Sequence, residues 1–534
     1  MFLINTNNYT IGKRIAAVFP FFPLYFNYLF VTLPQNCVLS YTKMKNNNNE
    51  RKELPIWLAL LPLLLLMAML VFTIRAFGSD SLSGPSQIVM LAASAVCCII
   101  GITAGRVRWH EFESQIAKNI SHVSSALIIL LFIGALGGAW MVSGVVPMMI
   151  YYGLDIIHPS VFLASTCAIS AAVSVMTGSS WTTIATIGVA LMGIGKTQGF
   201  DEGWIAGAII SGAYFGDKIS PLSDTTVLAS SVCHVNLFTH IRYMMITTIP
   251  SFTIALLIFF IAGWSHTATD TGHLIACQEA IMGRYDISPW LLIVPASTAI
   301  MIVKKLPALV TMFASTLLGV VFALIFQADV VAEIADGDMF RGAMQAVYGG
   351  TTIHTSNTML DELVATRGME GMLSTVWLIL CAMCFGATMT AGGMTAGITR
   401  LFTRFAHNRI STVSSTVASG LVLNTTVADQ YMGILLTGNV FREIYDKNGL
   451  ERRLLSRATE DSVTVTSVLI PWNSCGMTQS TVLGVATITY LPYCFFNLLS
   501  PLMSIIIATT GYKIISRGKG QKYGHENMIN SEIY

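Results

Sequence analysis

WIAGAIISGAYFGDKISPLSDTT, Trp204 to Thr226, is the stretch on which the fold turns. An apolar run rich in glycine and alanine passes directly into Asp217, Lys218 and Asp224, three ionisable residues within eight positions. An ionisable side chain at membrane depth costs about 2.5–3.5 kcal/mol on insertion scales, so three together require mutual pairing or a function. Pro221 lacks a backbone donor and interrupts the helix around it. The freed carbonyls, the hydroxyls of Ser220, Ser223, Thr225 and Thr226, and a carboxylate then form a hard oxygen site of the kind small hard cations take. The plain alternative is a buried Asp217–Lys218 ion pair that only fixes helix packing, with Lys218 present to neutralise Asp217.

Outward from this stretch the chain stays apolar. Of 534 residues 54% are hydrophobic and 11% charged, against about 25% charged in an ordinary soluble domain. A soluble surface needs polar cover that this composition does not supply. Apolar runs of about 17–25 residues, the length that spans a bilayer as a helix, recur along it. Clear spans are expected at 56–74, 87–103, 122–141, 243–263, 289–303, 308–326, 372–392 and 487–510. Two regions, near 160–235 and 411–481, are long, apolar and broken by polar clusters. They read as re-entrant hairpins followed by broken helices, since irregular backbone is tolerated at membrane depth only inside protein or along a cavity. The fold class is therefore an all-α integral membrane protein of about 10–12 transmembrane helices.

The chain repeats itself. GALGGAWMVSG from Gly134 pairs with GATMTAGGMTAG from Gly386, TGSSWTT from Thr177 with LNTTVADQ from Leu423, and GDKISPLSDTT from Gly216 with TSVLIPWNSC from Thr466. Pro221 and Pro471 stand 250 positions apart. The charges invert between the halves. Segment 142–160 has no Lys or Arg where its partner has Arg400, Arg404 and Arg409, and Lys196 with Asp201 and Glu202 faces Arg442, Lys447, Arg452, Arg453 and Arg457. Inverted repeats that meet at broken helices near the midplane are the architecture of secondary transporters. The organisation is an extension of uncertain status (1–55), N-terminal helices (56–121), a first repeat (122–241), connecting helices (242–371), a second repeat with the last helix (372–512) and a basic tail (513–534).

Lys and Arg bias in the loops sets orientation. Arg51, Lys52, Arg106, Arg108, Lys118, Lys304, Lys305 and the tail residues Lys513, Arg517, Lys519 and Lys522 belong on the cytoplasmic side. The acidic loops 264–288 and 327–341 belong outside. Residues 15–33 are apolar but carry Pro20, Pro23 and Asn27, and Asn46 to Asn49 follow. That stretch reads as an extra helix, a signal-like segment or an upstream start ahead of Met44.

Further candidates lie at the tips and the second break. Ser179, Ser180, Thr182 and Thr183 follow Gly178, which permits a tight turn, and their hydroxyls suit either helix capping or ion binding. Asn424, Thr425, Thr426 and Asp429 form the second tip, and Trp472, Asn473 and Ser474 follow Pro471. Glu460 and Asp461 precede that break and read either as acids in the first turns of a helix near the cytoplasmic surface or as a proton relay, for which the more deeply placed Asp429 is the better candidate. Cys381 and Cys384 form a CxxC inside an apolar helix, and the histidines form no metal-spaced pair, so both read as structural. A net charge of +2 leaves no nucleic-acid footprint. There is no HExxH, nucleophile elbow or P-loop to suggest an enzyme.

TGSSWTTIATIGVALMGIG from Thr177, YFGDKISPLSDTT from Tyr214, TGNVFREIYDKNGL from Thr437 and VTSVLIPWNSCG from Val465 resemble the signature stretches of the NhaC family of sodium/proton antiporters, and the likeness runs over roughly 56–512. The resemblance implies inverted repeats with hairpins and broken helices, in a cell (inner or plasma) membrane and surrounded by lipid. It implies exchange of cytoplasmic Na+ for external H+, with no cofactor beyond the transported ions. Family members also exchange malate for lactate or carry amino acids, and the motifs leave an organic anion or amino acid open as a substrate. A homodimer is compatible with this reading. The expected mechanism is competition of Na+ and H+ for one site, with Asp217 or Asp224 as the shared carboxylate and alternating access from one repeat moving against the rest.

Overall fold

A computed structural model describes residues 54–77, 84–264, 271–304, 306–353, 361 and 364–514. Nearly all of the N-terminal extension and the tail residues Arg517, Lys519 and Lys522 lie outside them, as does Lys305. The described chain is helical, and an isolated β-bridge joins Thr351 and Thr366. Seven helices are long and apolar enough to cross a bilayer, or nine if each of two bent pairs is one span. That count falls below the expected ten to twelve because the hairpin returns and broken helices carry charges or runs of Ser and Thr in place of an uninterrupted apolar stretch.

Several spans fall where the hydropathy puts them, as Ile56–Phe77, Ala308–Phe326 and Glu370–Ala391 show. Others differ. The expected span at 122–141 is the later part of Trp109–Val142, a 34-residue helix that at about 1.5 Å per residue exceeds an apolar core of about 30 Å. The loop expected at 264–288 contains the helix Thr271–Arg284. The last span, at 487–510, bends by 56° between Thr487–Tyr493 and Phe495–Thr510. Cys381 packs into the apolar core around Glu370–Ala391.

Two helix–turn–helix units, each followed by a broken helix, organise the centre. The first runs Phe162–Thr177, a turn at Gly178, Ser180–Thr183, a π-helical turn Ile184–Gly188 and Val189–Thr197. Glu202–Ile219 follows, then a break, then Asp224–Val232. The second runs Arg409–Val427, a turn at Ala428 and Gln430–Lys447. Arg452–Thr459, a π-helical turn Glu460–Thr464 and a 3-10 turn Ser467–Leu469 follow, then a break and Ser474–Leu483.

The second unit reproduces the first at an offset of 250 positions. Gly178 and Ala428 are both left-handed, at φ 67° and 59°. Ser179 and Asp429 cap the next helix, and Ser223 and Asn473 cap the helix after the break. Tertiary contacts match as well. Ser174 Oγ donates to Ala213 O at 2.5 Å, and Asn424 Nδ2 donates to Val463 O at 2.7 Å. Close approach depends on small residues, which let membrane helices pack backbone to backbone. A Cβ on Gly212 would lie 2.1 Å from Cys167 O and 2.9 Å from Ser170 Cβ. In the second unit the glycine is on the opposite helix, where a Cβ on Gly420 would meet Ser462 Oγ at 2.5 Å.

Candidate functional site

The first tip is built against the first break. Gly178 ends its helix in the left-handed conformation, and a Cβ there would sit 2.6 Å from Leu222 Cβ, so only glycine fits the contact. Ser179 Oγ accepts from Thr182 N at 3.2 Å, the usual capping bond. Ser180 then donates both its backbone N–H (3.1 Å) and its hydroxyl (2.7 Å) to Oδ2 of Asp217, in the last turn of Glu202–Ile219. At the break, Ser220 Oγ donates to Val175 O at 2.9 Å, and Ser223 and Thr225 share a hydroxyl–hydroxyl bond of 3.0 Å. Thr226 Oγ1 reaches back across the break to Lys218 O at 3.1 Å.

Tip and break line a cavity of about 740 Å³. Ser179, Thr182, Asp217, Asp224 and Thr225 reach it, so both expected carboxylates and their neighbouring hydroxyls share one space. Asp217 is 7% exposed, while Asp224 is open to the cavity. Ser180, Ser220 and Ser223 stand behind the wall and hold it. The other walls bring in His122, Trp181, Thr311, Gln430 and Tyr431, none of them expected as site residues. Among the described residues no Lys or Arg lines the cavity, and Lys305, beside the lining residue Leu306, lies outside them.

The second tip is closed on itself. Asp429 Oδ1 accepts from Met432 N at 2.9 Å and Oδ2 from Ser474 Oγ at 3.2 Å. Asn473 Nδ2 donates to Asn424 O at 3.1 Å, and Trp472 Nε1 to Thr425 O at 2.8 Å. Thr426 Oγ1 donates to Val422 O at 3.1 Å. None of these residues lines the cavity; Gln430 and Tyr431, just past Asp429, do. The contact matching Ser180–Asp217 is Ser467 Oγ donating to Gln430 Oε1 at 3.4 Å, again 250 positions on, with a neutral pair in place of the carboxylate.

Two expectations are corrected. Lys218 does not pair with Asp217. Its Nζ points away from the cavity into an ion pair with Asp461 and a 2.9 Å hydrogen bond to Ser500 Oγ, with both charged side chains fully buried. Helix geometry explains this, because consecutive residues project about 100° apart and cannot serve the same face. Glu460 and Asp461 are not surface acids in the first turns of a helix. Arg452–Thr459 precedes them and both are 0% exposed. The sequence signal for the Lys218–Asp461 pair is opposite charge in the two repeats with no counterpart at the 250 offset, where Val468 and Ser211 stand.

The profile of the Na+/H+ antiporter family matches residues 5–232 and 212–512. The chain belongs to the Na+/H+ antiporter family. The match begins well before the N-terminal limit of roughly residue 56 that the motifs gave. The Na(+)/H(+) antiporter NhaC of Alkalihalophilus pseudofirmus is 35% identical over 434 residues, 81% of this chain and 92% of that protein. The Malate-2H(+)/Na(+)-lactate antiporter of Bacillus subtilis is 33% identical over 429 residues, 80% and 90% of the two chains. The Arginine/ornithine antiporter ArcD of Halobacterium salinarum is 34% identical over 470 residues, 85% and 92%. In this antiporter family member, as the apolar helices require, the site lies inside a multi-pass membrane protein.

Proposed function

We infer that the protein exchanges cytoplasmic Na+ for external H+ by alternating access. The observation that carries this reading is the placement of Asp217 and Asp224 in one cavity at the first tip and break, with hydroxyl oxygens beside them. An ionised carboxylate with hydroxyl and carbonyl oxygens is a ligand set for a hard cation. A proton on the same carboxylate removes the charge that holds the ion. Charge-assisted bonds are about twice as strong as neutral ones, so the same exchange also changes how firmly Ser180 ties the tip to the broken helix. The two units, in opposite orientations across the membrane, move relative to one another, and the protein sits in the cell membrane with its C-terminus in the cytoplasm.

The cavity volume falls in the range of about 300–1,000 Å³ that holds small organic ligands, and two of the relatives are named for organic substrates. Charge argues against an organic anion here. Two carboxylates line the space. The helix N-termini that hold substrate carboxylates in some transporters are occupied by the protein's own Asp217 and Asp429. Purified protein in liposomes under a pH gradient tests this. Sodium alone dissipates the gradient if the reading is right; a response that waits for an organic acid or amino acid makes the protein a coupled solute carrier instead.

A further inference from the structure

A second charged cluster lies behind the cavity. Asp461 Oδ1 accepts from Lys218 Nζ, from Ser500 Oγ at 3.1 Å and from Thr247 Oγ1 at 3.1 Å. Arg457 is 0% exposed, and none of its three guanidinium nitrogens has a hydrogen-bond partner. Its nearest carboxylate oxygen is Asp461 Oδ2 at 4.0 Å, and it stacks over Tyr243 at 4.6 Å. Glu460 is also 0% exposed, and neither of its carboxyl oxygens has a partner. It opens the π-helical turn Glu460–Thr464, a distortion found often at functional positions.

Charge balance sets Glu460 apart. Lys218 and Arg457 are the cations and Asp461 is held in place by three donors. The four groups sum to zero with Glu460 ionised and to one positive charge with it protonated. A purely structural acid at this depth would be hydrogen-bonded, and a buried charge would be paired. Glu460 has the Thr464 hydroxyl on its own turn nearby but, among the described residues, no hydrogen bond of good geometry and no ion pair within 4.0 Å, although an arginine that cannot give up its proton lies three residues before it. The groups that face it are Lys218 and Asp217 from Glu202–Ile219, Arg457 from its own helix, and Cys233 at the end of Asp224–Val232. Around the rest of the cluster, Leu237–Trp264 brings His240 toward Lys218 and Tyr243 against Arg457, Gln430–Lys447 brings Tyr445 toward Arg457, and Phe495–Thr510 contributes Ser500 to Lys218 and no charge. Asp217 is near enough that its charge and that of Glu460 act on each other.

We propose that Glu460 is a second proton-carrying site of the transport cycle, separate from the cavity carboxylates and linked to them through Lys218. The proton binds a carboxyl oxygen, cancels its charge and leaves unchanged on the other side, so no further reactant is needed. When sodium occupies the cavity beside Asp217, added positive charge favours ionised Glu460. When sodium leaves, the cluster accepts the proton again. The site rests on the sodium/proton reading above.

Reversal-potential measurements in proteoliposomes test it with Glu460→Gln, which keeps the shape and cannot carry the proton. The expected ratio is two protons per sodium in the wild type and one in Glu460→Gln, with sodium/sodium exchange retained. Equal ratios in the two proteins overturn the proposal, and so does loss of sodium/sodium exchange in a variant that elutes as a folded protein. If Glu460→Gln does not fold, Glu460→Asp replaces it. A displaced pH profile at an unchanged ratio supports the site, and a wild-type profile overturns it. A wild type that moves sodium without protons fails the underlying reading instead, and is seen before any variant is made.

Discussion

Asp217 combines two tasks in one carboxylate: it accepts both donors of Ser180 and it faces the cavity. Asp217→Asn keeps the size but holds neither charge nor exchangeable proton. Sodium-driven proton flux should fall roughly 100-fold or more, equivalent to about 2.7 kcal/mol, and liposome flux assays read it. Asp429→Asn is the contrast. Asparagine caps a helix about as well as aspartate, and Asp429 lies outside the cavity lining, so flux should stay within about twofold of wild type. Lys218 gives a stability prediction. Lys218→Met leaves Asp461 buried without its hydrogen-bonded cation, a loss of about 3–5 kcal/mol, while Lys218→Met with Asp461→Leu should recover part of it, since Arg457 then loses its nearest carboxylate. Thermal unfolding in detergent measures both, and a double variant no more stable than the single one removes the pair as the cause. Asp217 and Asp224 were legible in the sequence because charge inside an apolar run requires an explanation. His122 and Tyr431 were not, since they join the wall from helices distant in sequence and carry no local mark. Lys218 was visible as a charge but not as a partner of Asp461, 243 positions away.

At the scale of the elements, the polar clusters and Pro221 and Pro471 located both breaks, and Gly178 located the first tip. The second tip was harder to read because Ala428 takes the left-handed turn at φ 59° without being a glycine. The π-helical turns left no signal either, since periodicity over five residues does not separate them from an α-helix. Ala428 supplies the element-scale prediction. A Cβ in the left-handed region costs roughly 1–2 kcal/mol, and glycine already holds the matching place at Gly178. Ala428→Gly should relieve this strain, offset in part by the added freedom of the unfolded chain. The expected result is a modest rise in unfolding temperature with transport unchanged. A fall would mean that the Ala428 methyl, which is fully buried, contributes more to packing than the turn costs.

For the whole molecule, matched caps and contacts at a constant offset say that one unit was built twice, and the chemistry at matched places has since diverged. The ionisable tie of the first unit, Ser180 to Asp217, is a neutral Gln430–Ser467 contact in the second. Only the first can respond directly to a proton, and both cavity carboxylates, Asp217 and Asp224, belong to that first unit. Whether the units are inverted is a question of sidedness. The charges make the prediction: the turn between Val189–Thr197 and Glu202–Ile219 carries Asp201 and Glu202, whereas its counterpart after Gln430–Lys447 carries Lys447, Arg452 and Arg453. Positive charge is retained in the cytoplasm, so the first turn belongs outside and the second inside. Glu202 and Lys447 are both exposed, the described native cysteines are buried or half-buried, and Cys37, outside the described residues, is replaced by serine so that the parent sets the background. A membrane-impermeant maleimide should label Glu202→Cys only from the outer face and Lys447→Cys only from the cytoplasmic face of sealed vesicles. Labelling of both from one side would make the repeats parallel, and alternating access would then need a motion other than the exchange of two opposed units.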